Sequence, residues 1–501
     1  MNTGNNYLMG IDLGTSSVKS LILDSQGQVV SLAVQEYGID HPRPGWAEQD
    51  PHVWVNAACQ TMWQAFQQSG VEGRQIAGIG IAGQMHGTVC LNVQGNPIRP
   101  AIIWADQRSQ SQVERVITRI RPEKLAEWTG NPLATGFMLA TWLWLLENEP
   151  LTSQQTCRLM LPKDYLRYRL TGKAGSEPSD ASSTLLFDTA RRTWSPQLLD
   201  ALDIQPGILP EIHPSAEIAG GLTQETAALT GLLSGTPLVF GGSDQALQAL
   251  GNGIVQPGTI SSTIGSGGQL FAPSANPVYD PGLRLHLFCH VLPELWHLEA
   301  AILSAGLSLK WLRDSFYPSA TYQSLADAAT QVKPGAEGLF FLPHLIGERT
   351  PYMDPQSTAA FVGLTRRHAR GHLVRAVMEG VVLSLKSGLD IMLDLGVPVD
   401  RIVASGGGTR HPLWLQLQAD IFNQPIYRTQ AQEAAAIGAA ILAGCGVGVY
   451  KDLAQTSLSL ARWSDQIIYP LAPNSRYYEN RYRIFDSLYP ALKLINNKET
   501  L

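Results

Sequence analysis

Several short segments of this chain end an apolar run in glycine and then a polar or charged group. In Leu8-Met-Gly-Ile-Asp12-Leu-Gly14-Thr15-Ser16-Ser17, a carboxylate stands two residues before a glycine and three hydroxyls. Phosphoryl transfer needs backbone donors around the phosphates, a carboxylate to position a metal ion, and a base for the attacking hydroxyl. Gly14 lets backbone approach an oxyanion closely, Thr15 to Ser17 add amide and hydroxyl donors, and Asp12 is suited to hold Mg²⁺ through water. Taken alone, Asp-x-Gly-Thr is short and equally compatible with an ordinary turn. Leu238-Val-Phe-Gly241-Gly242-Ser243-Asp244-Gln245 delivers a second carboxylate at a strand tip, where folds expose a base on a cleft floor. Asp244 would serve equally as the N-cap of a helix starting at Gln245.

Two further segments carry candidate ligand-binding groups. Ile79-Gly-Ile-Ala-Gly83-Gln84-Met85-His86-Gly87 closes on polar groups, of which His86 is either a hydroxyl ligand or a satisfied core histidine. Trp104-Ala-Asp106-Gln-Arg108 joins an aromatic to an acid–base pair, as sugar sites do, with a surface ion pair as the alternative. Gly265-Ser266-Gly267-Gly268 offers a second set of small-residue donors. Gly406-Gly407-Gly408 follows the strand Arg401-Ile-Val-Ala and precedes a helix over 409–421, a natural seat for a nucleotide. This glycine run lacks the Gly-x-Gly-x-x-Gly spacing of a Rossmann fingerprint, and the P-loop pattern does not occur in the chain.

The elements that must position these groups follow from periodicity. Residues 7–13, 18–23 and 28–34 read as a three-strand meander, 52–68 as a helix and 76–81 as a further strand. A β-rich segment entering a glycine turn recurs at Gly258–Gly268, and Gly14 and Gly265 lie 251 positions apart in 501 residues. This spacing suggests a duplicated α/β unit around a cleft, with two unrelated hairpins as the alternative. The boundary falls in the glycine-rich stretch 250–258, giving domains of residues 1–252 and 253–501.

Composition narrows the class. Hydrophobic residues make up 44% of the chain and charged ones 16%, with a net charge of −6 and no basic cluster. That balance disfavours nucleic acid or an anionic membrane as partner. The five cysteines are scattered, so neither a disulfide framework nor a zinc site is expected. The first six residues carry no basic group, which is unlike a secretory signal. The uncharged stretch Ala434–Tyr450 is shorter than the roughly 20 residues of a membrane span. A soluble cytoplasmic protein is expected.

Seven segments in this order resemble the FGGY carbohydrate kinases: Asp12-x-Gly14-Thr15, Gln84-Met85-His86-Gly87, Trp104-x-Asp106-x-Arg108, Pro162-Lys163-Asp164-Tyr165, Gly241-Gly242-x-Asp244, Gly347-Glu348-Arg349-Thr350-Pro351 and Gly406-Gly407-Gly408. Ala359-x-Phe361-x-Gly363-Leu364 followed by His372-Leu373-x-x-Ala376-Val377-Met378-Glu379 is similar to the family's C-terminal signature. Within the family the likeness is to bacterial xylulokinases. It implies two actin-like ATPase (ribonuclease H-like) domains, the first mainly for sugar and the second mainly for MgATP. It further implies Asp244 as general base, and Gln84, Met85, His86, Trp104, Asp106 and Gln245 as sugar contacts. Asp12 would lie at the Mg²⁺ site, Gly14, Thr15, Ser16, Gly265 and Ser266 at the phosphates, and Gly407 and Gly408 at the adenosine. The implied reaction converts D-xylulose and ATP to D-xylulose 5-phosphate and ADP, in a homodimer. Other ketoses or polyols, and an actin-like ATPase without a sugar, are the rival readings.

The chain departs from the family pattern at Met138 and Thr141, at Gln245 where xylulokinases usually have Asn, and at Gly265-Ser266-Gly267 where Gly-Thr-Ser is usual. Gln245 bears most on the choice of sugar, because one added methylene moves its amide by about 1.5 Å.

Overall fold

A computed structural model describes residues 6–496. The chain opens with β1 (Tyr7–Leu13), β2 (Ser17–Leu23) and β3 (Val29–Glu36), paired as an antiparallel meander. Helix α1 (Pro51–Ser69) follows, begun by the Asp50 side chain, which accepts from the His52 N–H, and by proline in the first turn, where its missing N–H costs nothing. Trp54, Ala58, Met62 and Ala65 share one face of α1 at helical spacing and are buried, with the helix packed on β2 and β3. The chain then forms β4 (Ile76–Gly83), parallel to β1, helix α2 (Pro162–Thr171), β5 (Ile218–Gly221), β6 (Pro237–Val239) and the two-residue β7 (Gly242–Ser243). The sheet order is β5-β6-β4-β1-β2-β3, with β7 also on β4.

After α3 (Asp244–Gly251), the second half lays down β8 (Gly258–Ile264), β9 (Gly268–Ser274), β10 (His286–Cys289) and β11 (Trp296–Ile302). Helices α4 (Gly306–Phe316) and α5 (Arg370–Asp394), β12 (Val399–Ser405), α6 (Pro412–Phe422), β13 (Ile426–Arg428) and α7 (Ala434–Gly446) complete it. The second sheet runs β10-β11-β9-β8-β12-β13. Its β8-β9-β11 meander and parallel β8–β12–β13 run repeat β1-β2-β3 and β1–β4–β6. The recurrence that the two glycine turns suggested is therefore a recurrence of sheet path. The expected helix over 409–421 starts later, at Pro412, because residues 407–409 form a tighter turn of helix ahead of it.

Each sheet has its own apolar core, and the two are joined by α3 and α7. Helix α7 belongs to the second half by sequence but lies on β1 and β4 of the first sheet. The approach demands glycine: a Cβ on Gly10 would sit 1.9 Å from the Ala436 carbonyl oxygen, and one on Gly80 would sit 1.9 Å from that of Ala439. Strand β10 is likewise held by the first half. Asn131 exchanges two hydrogen bonds with the Leu287 backbone, at 2.7 and 3.0 Å, and the Cys289 N–H donates to Ser182 Oγ. All five cysteines are free; Cys157 is exposed, and the others are buried or half-buried. No helix among the described residues is long and apolar enough to cross a membrane.

Candidate active site

The register of three strands brings Asp12 and Asp244 to one end of the first sheet. Ala82 of β4 pairs with Asp12 on one side and with Gly242 on the other. With neighbouring strands about 4.8 Å apart, the two carboxylates emerge side by side across β4. Gly241 makes the turn possible: its φ is +87°, and a Cβ there would meet the Ile81 carbonyl oxygen at 2.2 Å. The capping role that the sequence left open for Asp244 belongs to Ser243, whose side chain accepts from the Ala246 N–H. Asp244 is therefore the first helical residue, and its buried Oδ1 has no partner.

Burial raises both acids. Asp244 is pushed up to about 8, with the charges of Asp12 and Glu299 adding to the effect. Asp12 is pushed up to about 6, with Lys19 pulling the other way and Glu433 adding to the rise. Lys19 itself is paired to Glu433 at 2.6 Å, a contact between opposite halves of the chain. Two carboxylates deprived of water and repelling one another make a site that gains from a cation.

The expected sugar contacts divide into two groups. Gln84, Met85 and His86 follow β4 directly, and all three are buried. His86 has a positive φ of 73° and is pinned by Nδ1, which donates to the Ser183 carbonyl oxygen at 2.8 Å. Burial lowers its pKa to about 3, so the ring is neutral and Nε2 is left as an acceptor. Trp104 donates from Nε1 to Thr15 Oγ1 at 2.9 Å, tying the aromatic to the first glycine turn. Asp106 is otherwise engaged: its oxygens take the Ala47 N–H and the Arg108 guanidinium, which lies flat over Trp46. This ion pair is buried, not on the surface as the alternative reading had it. Gln245 stands beside Asp244, half-buried, and its amide lowers the Asp244 pKa against the larger effects above.

Two cavities adjoin these groups. One of about 270 Å³ is lined by Gly265, Ser266, Gly407 and Gly408 together with α4 and Trp414, so both glycine turns of the second half face a single space. The backbone carbonyls of Gly265 and Ser266 are tied to the start of α4 by the N–H groups of Gly306 and Leu307, which fixes the turn. Gly14, Thr15 and Ser16 form the corresponding turn between β1 and β2, held by Tyr37 and Gln49. The other cavity, of about 530 Å³, lies between the halves, with Trp104 and Asp106 on one side and Leu303, Glu348 and Arg349 on the other.

Sequence reasoning missed the contribution of the second sheet. Glu299 on β11 raises the pKa of Asp244, is itself pushed up to about 7 by burial, and interacts with Arg349. His286 on β10 pairs in register with Glu299 and is held neutral by burial. A signal was available: Glu299 is the one charged residue in the buried run Trp296–Ile302, and Arg349 lies in a motif already singled out.

Among the described residues, no cluster of three or more His, Cys, Asp or Glu side chains could hold a metal alone. Asp12 has no hydrogen-bond partner and two adjacent acids, an arrangement suited to Mg²⁺, which binds through one or two carboxylates and keeps its waters or phosphate oxygens.

Comparison with known proteins agrees with this architecture. The N-terminal domain model of the FGGY family of carbohydrate kinases matches residues 7–251, and its C-terminal domain model matches residues 260–447. A xylulose kinase of Escherichia coli (strain K12) is 37% identical over 485 residues, covering 97% of this chain and 99% of its own. The crystal structure of a xylulose kinase from Rhodospirillum rubrum superposes with a TM-score of 0.91 at 30% identity, covering 98% of this chain and all of its own. A gluconate kinase structure from Lactobacillus acidophilus gives 0.93 at 26% identity, covering 98% of each chain. The fold is the two-sheet, actin-like ATPase architecture of these kinases, and this chain is a sugar kinase of the FGGY carbohydrate kinase family.

Proposed function

We propose that the protein transfers the γ-phosphoryl group of ATP to the terminal hydroxyl of a ketopentose, with D-xylulose giving D-xylulose 5-phosphate. The observation that carries this reading is Asp244, a half-buried carboxyl just past a strand tip whose buried Oδ1 has no partner. It stands in a chain whose full-length relatives include xylulose kinases.

In this reading Asp244 accepts the proton of the attacking hydroxyl while Gln84, Met85, His86, Trp104 and Gln245 hold the sugar. Asp106 acts one step back, holding Arg108 against Trp46 and Glu48. Gly14, Thr15, Ser16, Gly265 and Ser266 hold the phosphates, and Gly407 and Gly408 hold the adenosine. Asp12 would hold Mg²⁺, whose charge offsets that of the phosphates. Transfer is direct and in line, and closure of the cleft excludes water. Residues 1–252 form the mainly sugar-binding domain and residues 253–501 the mainly ATP-binding one. The enzyme is taken to act as a homodimer in the cytoplasm.

A second reading within the family, a kinase for another ketose or polyol, is favoured by Gln245 in place of the usual Asn. A coupled ADP-release assay across ketopentoses, pentitols, glycerol, ketohexoses and gluconate, run beside Asp244→Ala, tests both. D-Xylulose dominating, with the variant inactive, supports the proposal. Another sugar winning with the same dependence on Asp244 replaces the substrate, and turnover unchanged in the variant overturns the mechanism.

A further inference from the structure

Four buried side-chain atoms around the proposed sugar site have no hydrogen-bond partner: Gln84 Oε1, Asp244 Oδ1, His286 Nε2 and Glu299 Oε2. The surrounding network fixes Gln84 Oε1 and His286 Nε2 as acceptors, and the two carboxyl oxygens accept when ionised. Gln49 Nε2 donates to the carbonyl oxygens of Thr15 and Gly38, so Gln49 Oε1 accepts. Gln84 must then donate its Nε2 to Gln49 Oε1, at 3.1 Å, leaving its own oxygen bare. Asn131 Nδ2 donates to the carbonyls of Thr129 and Leu287, and its Oδ1 takes the Leu287 N–H. The same Oδ1 lies 3.2 Å from His286 Nδ1, which must therefore carry the proton and leave Nε2 a lone pair. Gln269 Nε2 meets Glu299 Oε1 at 3.3 Å, and the nearest histidine nitrogen, His297 Nε2, is 4.0 Å from Oε2, beyond a hydrogen bond.

The second-sheet members stand against the first half, with Glu299 close enough to Asp244 to act on its charge. His286 and Glu299 are directly opposed in the β10–β11 register, so their side chains share one face of the second sheet. The Phe137 ring lies 3.9 Å from His86 and 5.5 Å from His286, placing the second-sheet pair against the His86 wall. The Arg349 charge acts on Glu299 and Glu348, and the Glu299 charge acts on Asp244. Such a surface asks its ligand for several O–H donors.

We propose that Glu299 and His286 are specificity-determining residues that accept hydrogen bonds from substrate hydroxyls other than the one phosphorylated. They select a polyhydroxylated substrate. The inference rests on the sugar-kinase reading with Asp244 at the reacting hydroxyl, and adds the second sheet as a wall of that site.

The test measures KM and kcat for the best sugar and for its singly deoxygenated analogues. In Glu299→Gln the amide oxygen turns to the Gln269 NH₂, so an NH₂ replaces the acceptor facing the ligand. His286→Phe keeps the ring stacking and removes Nε2, and so provides an independent arm should the first variant fold poorly. The expected result is a sugar KM raised about tenfold or more in either variant, with the KM for ATP moving less than about twofold. At least one deoxy analogue that the unaltered enzyme disfavours should lose that handicap in a variant. Sugar KM within about twofold of the original in both variants would overturn the inference while leaving the kinase reading intact. No sugar stimulating the unaltered enzyme would sink both.

Discussion

Replacing Asp244 by Asn should abolish activity and raise stability, and the two effects should depend differently on pH. Loss of a general base costs about 10²–10⁴-fold in kcat. The stability gain follows from the raised pKa. A group held at about 8 in the folded protein and near 3.8 unfolded contributes stability that is fully present below pH 3.8 and is lost as pH rises through 8. Each unit of pKa difference is worth about 1.36 kcal/mol, so the four-unit gap sets a ceiling of about 5–6 kcal/mol. Asp244 keeps some exposure to the cleft, where solvent screens it, and about 2 kcal/mol is the share expected at pH 8. At about 2–4 °C per kcal/mol for domains of this size, Tm should rise by roughly 4–8 °C. At pH 4 the unaltered protein meets almost none of this penalty, so the two proteins should melt together there. Thermal melts from pH 4 to 8, paired with the ADP-release assay, read both effects. A variant that melts at or below the unaltered protein at pH 8, or whose advantage is the same at both pH values, would refute the argument that Asp244 is strained by burial and by its acidic neighbours.

Other outcomes follow from the packing. Gly10→Ala or Gly80→Ala should force α7 off the first sheet, because the new methyl meets a helix carbonyl at 1.9 Å; a loss of about 3 kcal/mol or more in urea melts is expected. Lys163→Met should cost about 3–5 kcal/mol, since Lys163 lies fully buried among Asp164, Glu177 and Asp180 and its loss strands their charge. A thermal melt within 1 °C of the original would show that this cluster is electrically slack. Thr15→Val removes the acceptor for Trp104 Nε1, and the sugar KM should rise about three- to tenfold with the fold intact by circular dichroism.

Much of the site was legible because its parts are local. An apolar run, a glycine and an acid stand within a few residues of one another at Asp12 and at Asp244, and a short apolar run meeting a glycine turn is enough to put each at or just past a strand end. The meander 7–36, the helix 51–69 and the repeat at Gly258 were readable for the same reason. Errors at this level were small, as at Pro412, where a proline fixes the helix start that glycine-rich sequence left blurred.

Pairings across long separations were not legible. His286 and Glu299 are strand residues whose periodicity says only that they share a face; that the face looks onto Asp244 depends on how one sheet is set against the other. Lys19 meets Glu433, and Asn131 clasps Leu287, across 414 and 156 residues. The uncharged stretch at 434 read as too short for a membrane span, but nothing in it says that it lies on the opposite half's sheet. The sequence by itself determined the opening meander and its repeat, the two candidate carboxylates and the family, since each resides in a short run whose backbone preference and side-chain order are self-contained. The tertiary structure alone decided which acids repel one another, which amides and imidazoles are left as bare acceptors, and which half supplies the second wall. Electrostatics and hydrogen bonding act through space, and the distances they depend on are set only when both sheets have closed on α3 and α7.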